Sequence, residues 1–240
     1  MPKGCSNPGH GGYDSGALGR KSLEKDLNLR FSLKFAKRMR DQGFEMLETR
    51  TTDKFVSLRE IAGIANNSRV DFFQSIHCNA GGGHGFEIYV LPGGRAEKWA
   101  RVLEKHLTRA LGITDRGVKT NQNFYVLVNT DMPALLVELA FLDNPGEEAK
   151  LLDPYWQDNA VEAMTQAWCE IYGLAYRPPA AAAKQVLIKQ VPVKQVPVKE
   201  AEQQKPAVQQ AAPLQAKAAL LNETLAQLAK LGELIRKLAE

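Results

Sequence analysis

Five short apolar or β-branched runs, at residues 44–49, 72–77, 86–91, 124–128 and 134–139, alternate with amphipathic stretches over the first 177 residues. Alternation of this kind restricts the chain to an α/β layer fold with a mainly parallel or mixed sheet, since helices must cover the faces between strands. The amphipathic stretches span 24–42, 96–111 and 156–172. In the first, Leu27, Phe31, Phe35 and Met39 recur at i, i+4 spacing, and Gly43 stands where the helix should stop. A domain of about 170 residues buries roughly 70% of its unfolded surface, so its core can hold without cross-links.

The globular pattern ends near Arg177. All four histidines, all three cysteines and all three tryptophans precede it. Residues 178–213 are rich in Pro, Ala, Gln and Lys, with pentads starting at Gln185, Gln190 and Gln195 and no aromatic residue or glycine. Such a segment cannot bury a core and reads as a flexible, semi-extended linker with polyproline character. An edge strand on its alternating valines is the alternative, which Pro192 and Pro197 oppose. Over 214–240 the pattern becomes helical: Leu214, Leu221, Leu228 and Ile235 recur every seven residues, with Leu225, Leu231 and Leu238 nearby.

Charge excludes little. The 31 basic and 27 acidic residues leave a net charge of +4, too small to argue for nucleic acid and compatible with a polyanionic wall. No run of about 18 apolar residues exists, so no membrane span is expected. The start, MPKGCSNPGHGG, has no apolar h-region or cleavage site, so cytoplasmic synthesis without a signal peptide is expected. Cys5, Cys78 and Cys169 are odd in number and widely spaced, which reads as reduced thiols rather than a disulfide framework.

The chemistry starts at Glu138, a single carboxylate inside the apolar run PALLVELAFL. A continuous run like this is a buried strand. A carboxylate there needs a partner or a raised pKa, and is either a structural buried pair or a general acid/base. His10 sits between glycines in NPGHGG, and His77 ends the run DFFQSIH, where a strand gives way to a loop. Ligand sites in open α/β sheets collect at such strand ends. Glu24 opens the first helix, where a carboxylate can simply favour the helix dipole. Singly, each has a bland explanation. Together, two histidines and a carboxylate suit a catalytic zinc with its fourth position open. HExxH, GxSxG and phosphate-loop signatures are all absent, so the site would be assembled from separate elements.

Seven blocks in order carry a resemblance: NPGHGG at 7–12, Glu24, TRTTDKFVSL at 49–58, IAN at 64–66, SIHCNA at 75–80, GFEIYV at 85–90 and MPALLVELAFLDNPGEE at 132–148. Across residues 3–172 the chain resembles the zinc-dependent N-acetylmuramoyl-L-alanine amidases of bacterial autolysins, sporulation lytic enzymes and phage endolysins. The resemblance implies a twisted sheet of about six strands flanked by helices, in line with the α/β pattern. It implies one zinc per chain on His10, Glu24 and His77, with Glu138 as the catalytic residue. The implied substrate is bacterial peptidoglycan, cut between the muramic lactyl group and L-alanine, and the implied place of action is the cell wall after release. Asn79 is expected to line the cleft. Two positions depart from the family pattern. Asn7 replaces an aspartate that could orient the first ligand, and Ile61 replaces an arginine, with Arg59 nearby.

Two rivals remain at this point: a cysteine amidase using Cys5 or Cys78 with a histidine, and a non-catalytic wall-binding module. His84 and His106 read as bystanders. The Cys78 side chain should face away from that of His77, since neighbours on a strand point to opposite faces.

The stripe on 214–240 needs a partner. From residue 214 on, Lys217, Lys230, Arg236 and Lys237 face Glu223, Glu233 and Glu240, so the net is 4 − 3 = +1, too balanced for a membrane-seeking helix. With no aromatics to hold a polysaccharide, self-association as a short coiled coil is expected, weakened by Gly232. Light scattering should therefore find oligomers of the full chain and monomers of a chain ending at Arg177. A full chain that stays monomeric at tens of micromolar would sink the homo-oligomer.

Overall fold

In the computed structural model, residues 1–179 are described; the expected helix at 214–240 and nearly all of the expected linker lie outside them. The predicted runs at 44–49, 72–77, 86–91 and 134–139 form strands β2 (Glu45–Glu48), β3 (Phe72–Asn79), β4 (Phe86–Val90) and β6 (Ala134–Phe141). An additional strand, β1 (Lys3–Pro8), precedes them. The amphipathic stretches form α1 (Glu24–Asp41), α3 (Glu97–Leu111) and α6 (Pro154–Ile171), joined by α2 (Leu58–Asn67) and α5 (Pro145–Leu152).

One expected strand is corrected. Residues 124–128 form a single helical turn, α4 (Tyr125–Val128), and the strand lies just before it, at β5 (Asp115–Thr120). A five-residue apolar run fits a strand or a buried helical turn equally well. Here Val126 and Leu127 are buried and Tyr125 and Val128 exposed. β5 is a polar edge strand, DRGVKT, and an edge needs no apolar face of its own.

The six strands form one sheet in the order β2-β1-β3-β6-β4-β5. Every neighbouring pair is parallel except β4 with β6. Reversal at β4 brings the starts of β4 and β5 to the same rim as the ends of β1, β3 and β6. On one face, α1, α3 and α6 bury Phe31, Phe35, Leu103, Leu107 and Trp168 against the sheet. Phe72 and Trp168 stack there with centroids 3.8 Å apart, and Trp168 Nε1 donates to Gln74 Oε1 at 2.6 Å. On the other face, Ile61 and Ala65 of α2 and Val126 and Leu127 of α4 pack on Cys5, Phe73 and Leu136. Side chains alternate across a strand, so His77 follows Phe73 and Glu138 follows Leu136 onto this second face. The short helices α2 and α4 leave its rim open. Among the described residues no helix is long and apolar enough to cross a membrane.

One buried cation ties the rim together. Arg50, 2% exposed, donates to the carbonyls of Pro8, Gly9, Lys25 and Thr52 at 2.9–3.2 Å. It thereby joins the end of β1, the start of α1 and the loop after β2. An Arg50→Met substitution keeps the bulk but leaves several buried carbonyls unpaired. It should lower unfolding free energy by about 3 kcal/mol in urea titrations. A loss below about 1 kcal/mol would mean that the carbonyls find other donors.

Candidate active site

Glu24 begins α1 and is buried beneath the open rim. Its Oε1 lies 2.9 Å from His77 Nδ1, and its Oε2 lies 3.2 Å from His10 Nε2. It also accepts from Ala17 N at 2.8 Å, Asn28 Nδ2 at 3.0 Å and Cys78 N at 3.2 Å. His77 arrives on β3, and His10 in the loop after β1. The His10 backbone adopts φ 61°, a left-handed conformation uncommon for a side-chain-bearing residue. Unusual backbone of this kind is found where the surroundings hold a side chain to a task.

Glycine makes room for the imidazoles. A Cβ on Gly9 would sit 2.1 Å from His77 Cε1, and one on Gly16 would sit 2.5 Å from Glu24 Oε2. The rings of His10 and His77 meet edge-on at 5.0 Å. One potential ligand atom from each of His10, Glu24 and His77 lies within 4.8 Å of the others, so three separate elements converge on a candidate metal triad.

The electrostatics follow from this packing. Burial opposes the Glu24 charge, but hydrogen bonds from both imidazoles hold its carboxyl well below the usual range. Burial likewise opposes a proton on His10, but Glu24 and then Asp14 overcome it and lift the ring to about 9. Asp14 Oδ2 lies 2.9 Å from His10 Nδ1. A carboxylate on the far nitrogen fixes the ring's orientation and leaves Nε2 free for a metal.

Asn7 is turned to other partners. Its side chain donates to Ser75 Oγ at 2.8 Å and accepts from Thr49 Oγ1 at 2.6 Å, fastening β1 to its neighbours. Asp14 supplies the orienting carboxylate instead. The only trace of this in the sequence is an acid four places after the histidine, a separation that means little inside a Gly-rich loop.

Glu138 stands beside the triad in register, paired with His77 across β3 and β6. Its Oε2 is buried and has no hydrogen-bond partner. Burial pushes its pKa up to about 7, with the Glu24 and Glu87 charges adding to the rise and His77 opposing it. A carboxyl near neutrality, with an unpartnered oxygen and close to a candidate metal triad, can accept and return a proton at working pH.

The triad and Glu138 open into a cleft of about 540 Å³. Phe55, Val56, Leu58 and Ile61 form one wall, and Phe124, Tyr125 and Val126 the other. Ile61 is thus a cleft residue, while Arg59 is exposed. Tyr13 is exposed and stacks on Phe55 at the mouth, with centroids 4.3 Å apart. These aromatics carried no legible signal in the sequence. Asn79 is not part of the cleft lining; it donates to Glu87 Oε1 at 2.6 Å.

The cysteines do not fit the rival nucleophile. Cys5 and Cys78 are buried. Burial pushes the Cys5 thiol to about 12 and that of Cys78 well above its ordinary value. Cys78 packs in the core on the opposite face from His77, as strand alternation requires. His84 is exposed, and His106 pairs with Glu170 far along the chain.

The chain is similar to known proteins. The sporulation-specific N-acetylmuramoyl-L-alanine amidase of Bacillus subtilis (strain 168) is 41% identical over 155 residues, covering 63% of this chain and 60% of the relative. The endolysin of Bacillus phage SPP1 is 35% identical over 187 residues, covering 74% of this chain and 68% of the endolysin. The chain spans 60% and 61% of the length of two of its Bacillus relatives. Among solved structures, the catalytic domain of CwlV, an N-acetylmuramoyl-L-alanine amidase from Bacillus (Paenibacillus) polymyxa var. colistinus, superposes with a TM-score of 0.70 at 34% identity. The match covers 73% of this chain and 100% of that domain. The N-acetylmuramoyl-L-alanine amidase family model (Amidase_3) matches residues 6–169, and the chain belongs to that family.

Proposed function

We propose that the chain hydrolyses the amide between the muramic lactyl group and L-alanine in bacterial peptidoglycan, with zinc on His10, Glu24 and His77 and with Glu138 as the general base. The observation that carries this is the convergence of the three candidate ligand side chains beside a carboxyl whose Oε2 is buried and has no partner. The donor set fits the metal: two imidazoles and one carboxylate leave a fourth position open, as hydrolytic zinc sites do. When bound, zinc supplies Lewis acidity, which lets water attack a carbonyl at neutral pH.

The chain's own residues do the rest. Asp14 holds the His10 ring in place. Glu138 takes a proton from the attacking water and returns it to the departing amine nitrogen as the C–N bond breaks. The products are a lactyl carboxylate and a free L-alanine amine. The apolar walls limit water around Glu138 and keep its basicity matched to the task. Relatives of this chain include both a sporulation amidase and a phage endolysin, so cell-wall turnover and host lysis both fit the proposal. Self-association through residues 214–240 would add avidity on a polymeric wall by linking catalytic domains.

Digestion of purified wall tests the reaction directly. It should release new alanine amino termini without new reducing sugar ends. A strong chelator should abolish the release and zinc should restore it; full activity in a verified metal-free sample would sink the metal reading. Glu138→Gln should keep the fold and the bound zinc but lose roughly 10²-fold or more in rate. Near-normal turnover would reduce Glu138 to a structural carboxyl.

Metal uptake should also depend on pH. His10 is lifted to about 9 in the metal-free protein, so below that pH its ring carries a proton that zinc must displace. Affinity should fall about tenfold for each pH unit on going down through this range, from this group alone. Calorimetry at pH 7 in buffers of different ionisation heat should register release of about one proton, and a pH-independent affinity would refute the assignment.

A further inference from the structure

Glu87 heads a second polar cluster on the cleft side of the sheet. It pairs with Glu138 across the antiparallel β4–β6 ladder, so the two side chains share a face. Its Oε1 accepts from Asn79 Nδ2 at 2.6 Å and Tyr89 OH at 2.8 Å. Its Oε2 accepts from Arg116 Nε at 2.7 Å and from Lys119 Nζ. Burial alone would raise this carboxyl, but Arg116, Lys119, Tyr89 and Asn79 hold it down at about 2.

One carboxylate therefore meets two cations, leaving the cluster with 2 − 1 = +1. Among the described residues, Arg116 and Lys119 form no other ion pair. Their side chains are 33% and 36% exposed, and beyond Glu87 Arg116 makes only a long contact, from Nη1 to the His84 carbonyl at 3.4 Å. The cluster adjoins the cleft: Tyr89, which donates to Glu87, packs edge-on against the cleft residue Phe124 at 5.0 Å. A purely structural role would need one cation to neutralise Glu87, not two.

We propose, resting on the amidase reading, that Arg116 and Lys119 form an anion subsite that binds a carboxylate of the peptide stem. Strands lie about 4.8 Å apart, so the cations on β5 stand roughly 10 Å from Glu138 along the sheet. An extended peptide advances about 3.5 Å per residue. A carboxylate borne by the second stem residue can therefore reach the cations while the bond before the first residue lies at Glu138. Glutamate in that position carries either a free α-carboxylate or a carboxamide. Two cations recognise the first and not the second, since the carboxamide is uncharged. The subsite selects unamidated stems.

The test uses two muramoyl peptides that differ only at that group, glutamate with a free α-carboxylate and its α-amide. The full chain should favour the carboxylate by about tenfold in kcat/KM, expressed mainly in KM, the scale of one charge-assisted hydrogen bond. Lys119→Met keeps the alkyl stem and leaves Glu87 with three donors; it should shrink the ratio to about twofold. Lys119→Arg keeps the charge and should keep the preference. A wild-type ratio near one, or an undiminished ratio in a folded Lys119→Met, overturns the subsite. Cleavage of neither peptide would sink the amidase reading itself, and the subsite with it.

Discussion

A buried carboxylate without partners is several kilocalories per mole unfavourable, and Glu24 escapes that penalty only because the site is built around it. Three protein donors and two imidazoles surround its two oxygens. These five partners come from three pieces of chain: the 10–23 loop, α1 itself and the end of β3. The demand of one charge for hydrogen bonds thus brings β1, α1 and β3 to a common point. Arg50 acts in the opposite sense on the carbonyls of the same loops. The loop that carries His10 at positive φ is held between these two buried ions.

Glu138 is the counterexample. The apolar strand that carries it provides burial but no donor for Oε2. What would be a defect in a structural residue keeps the carboxyl titrating near neutrality. One strand away, Glu87 lies in a similar position on the sheet with four donors and stays ionised. Two glutamates paired across a ladder thus shift in opposite directions: burial raises Glu138, while four donors outweigh burial at Glu87.

Much of this was legible in the residues. The i, i+4 apolar spacing gave α1 nearly to its ends, and continuous apolar runs gave the central strands β3 and β6, where burial on both faces leaves a clear trace. The polar edge strand β5 left none, and the run at 124–128 was too short to separate a strand from a helical turn. His10, Glu24, His77 and Glu138 were singled out through the order of their blocks, and the fold brings these side chains to one place. The roles of Asp14, Asn7 and Asn79 were not legible. They turn on which side chain reaches which atom across loops, and linear spacing does not encode that. The segments beyond residue 179 carry a seven-residue period in sequence and lie outside the described structure.

The buried cysteines have a consequence for where such a domain can work. Cys5, Cys78 and Cys169 are each within 2% of full burial, and burial raises the pKa of all three thiols. Thiolate is the form that oxidises and exchanges, and it is scarce at such sites. No disulfide holds the described fold together, so reduction removes nothing from it. The described fold is in this sense redox-indifferent: its architecture needs neither an oxidising nor a reducing environment.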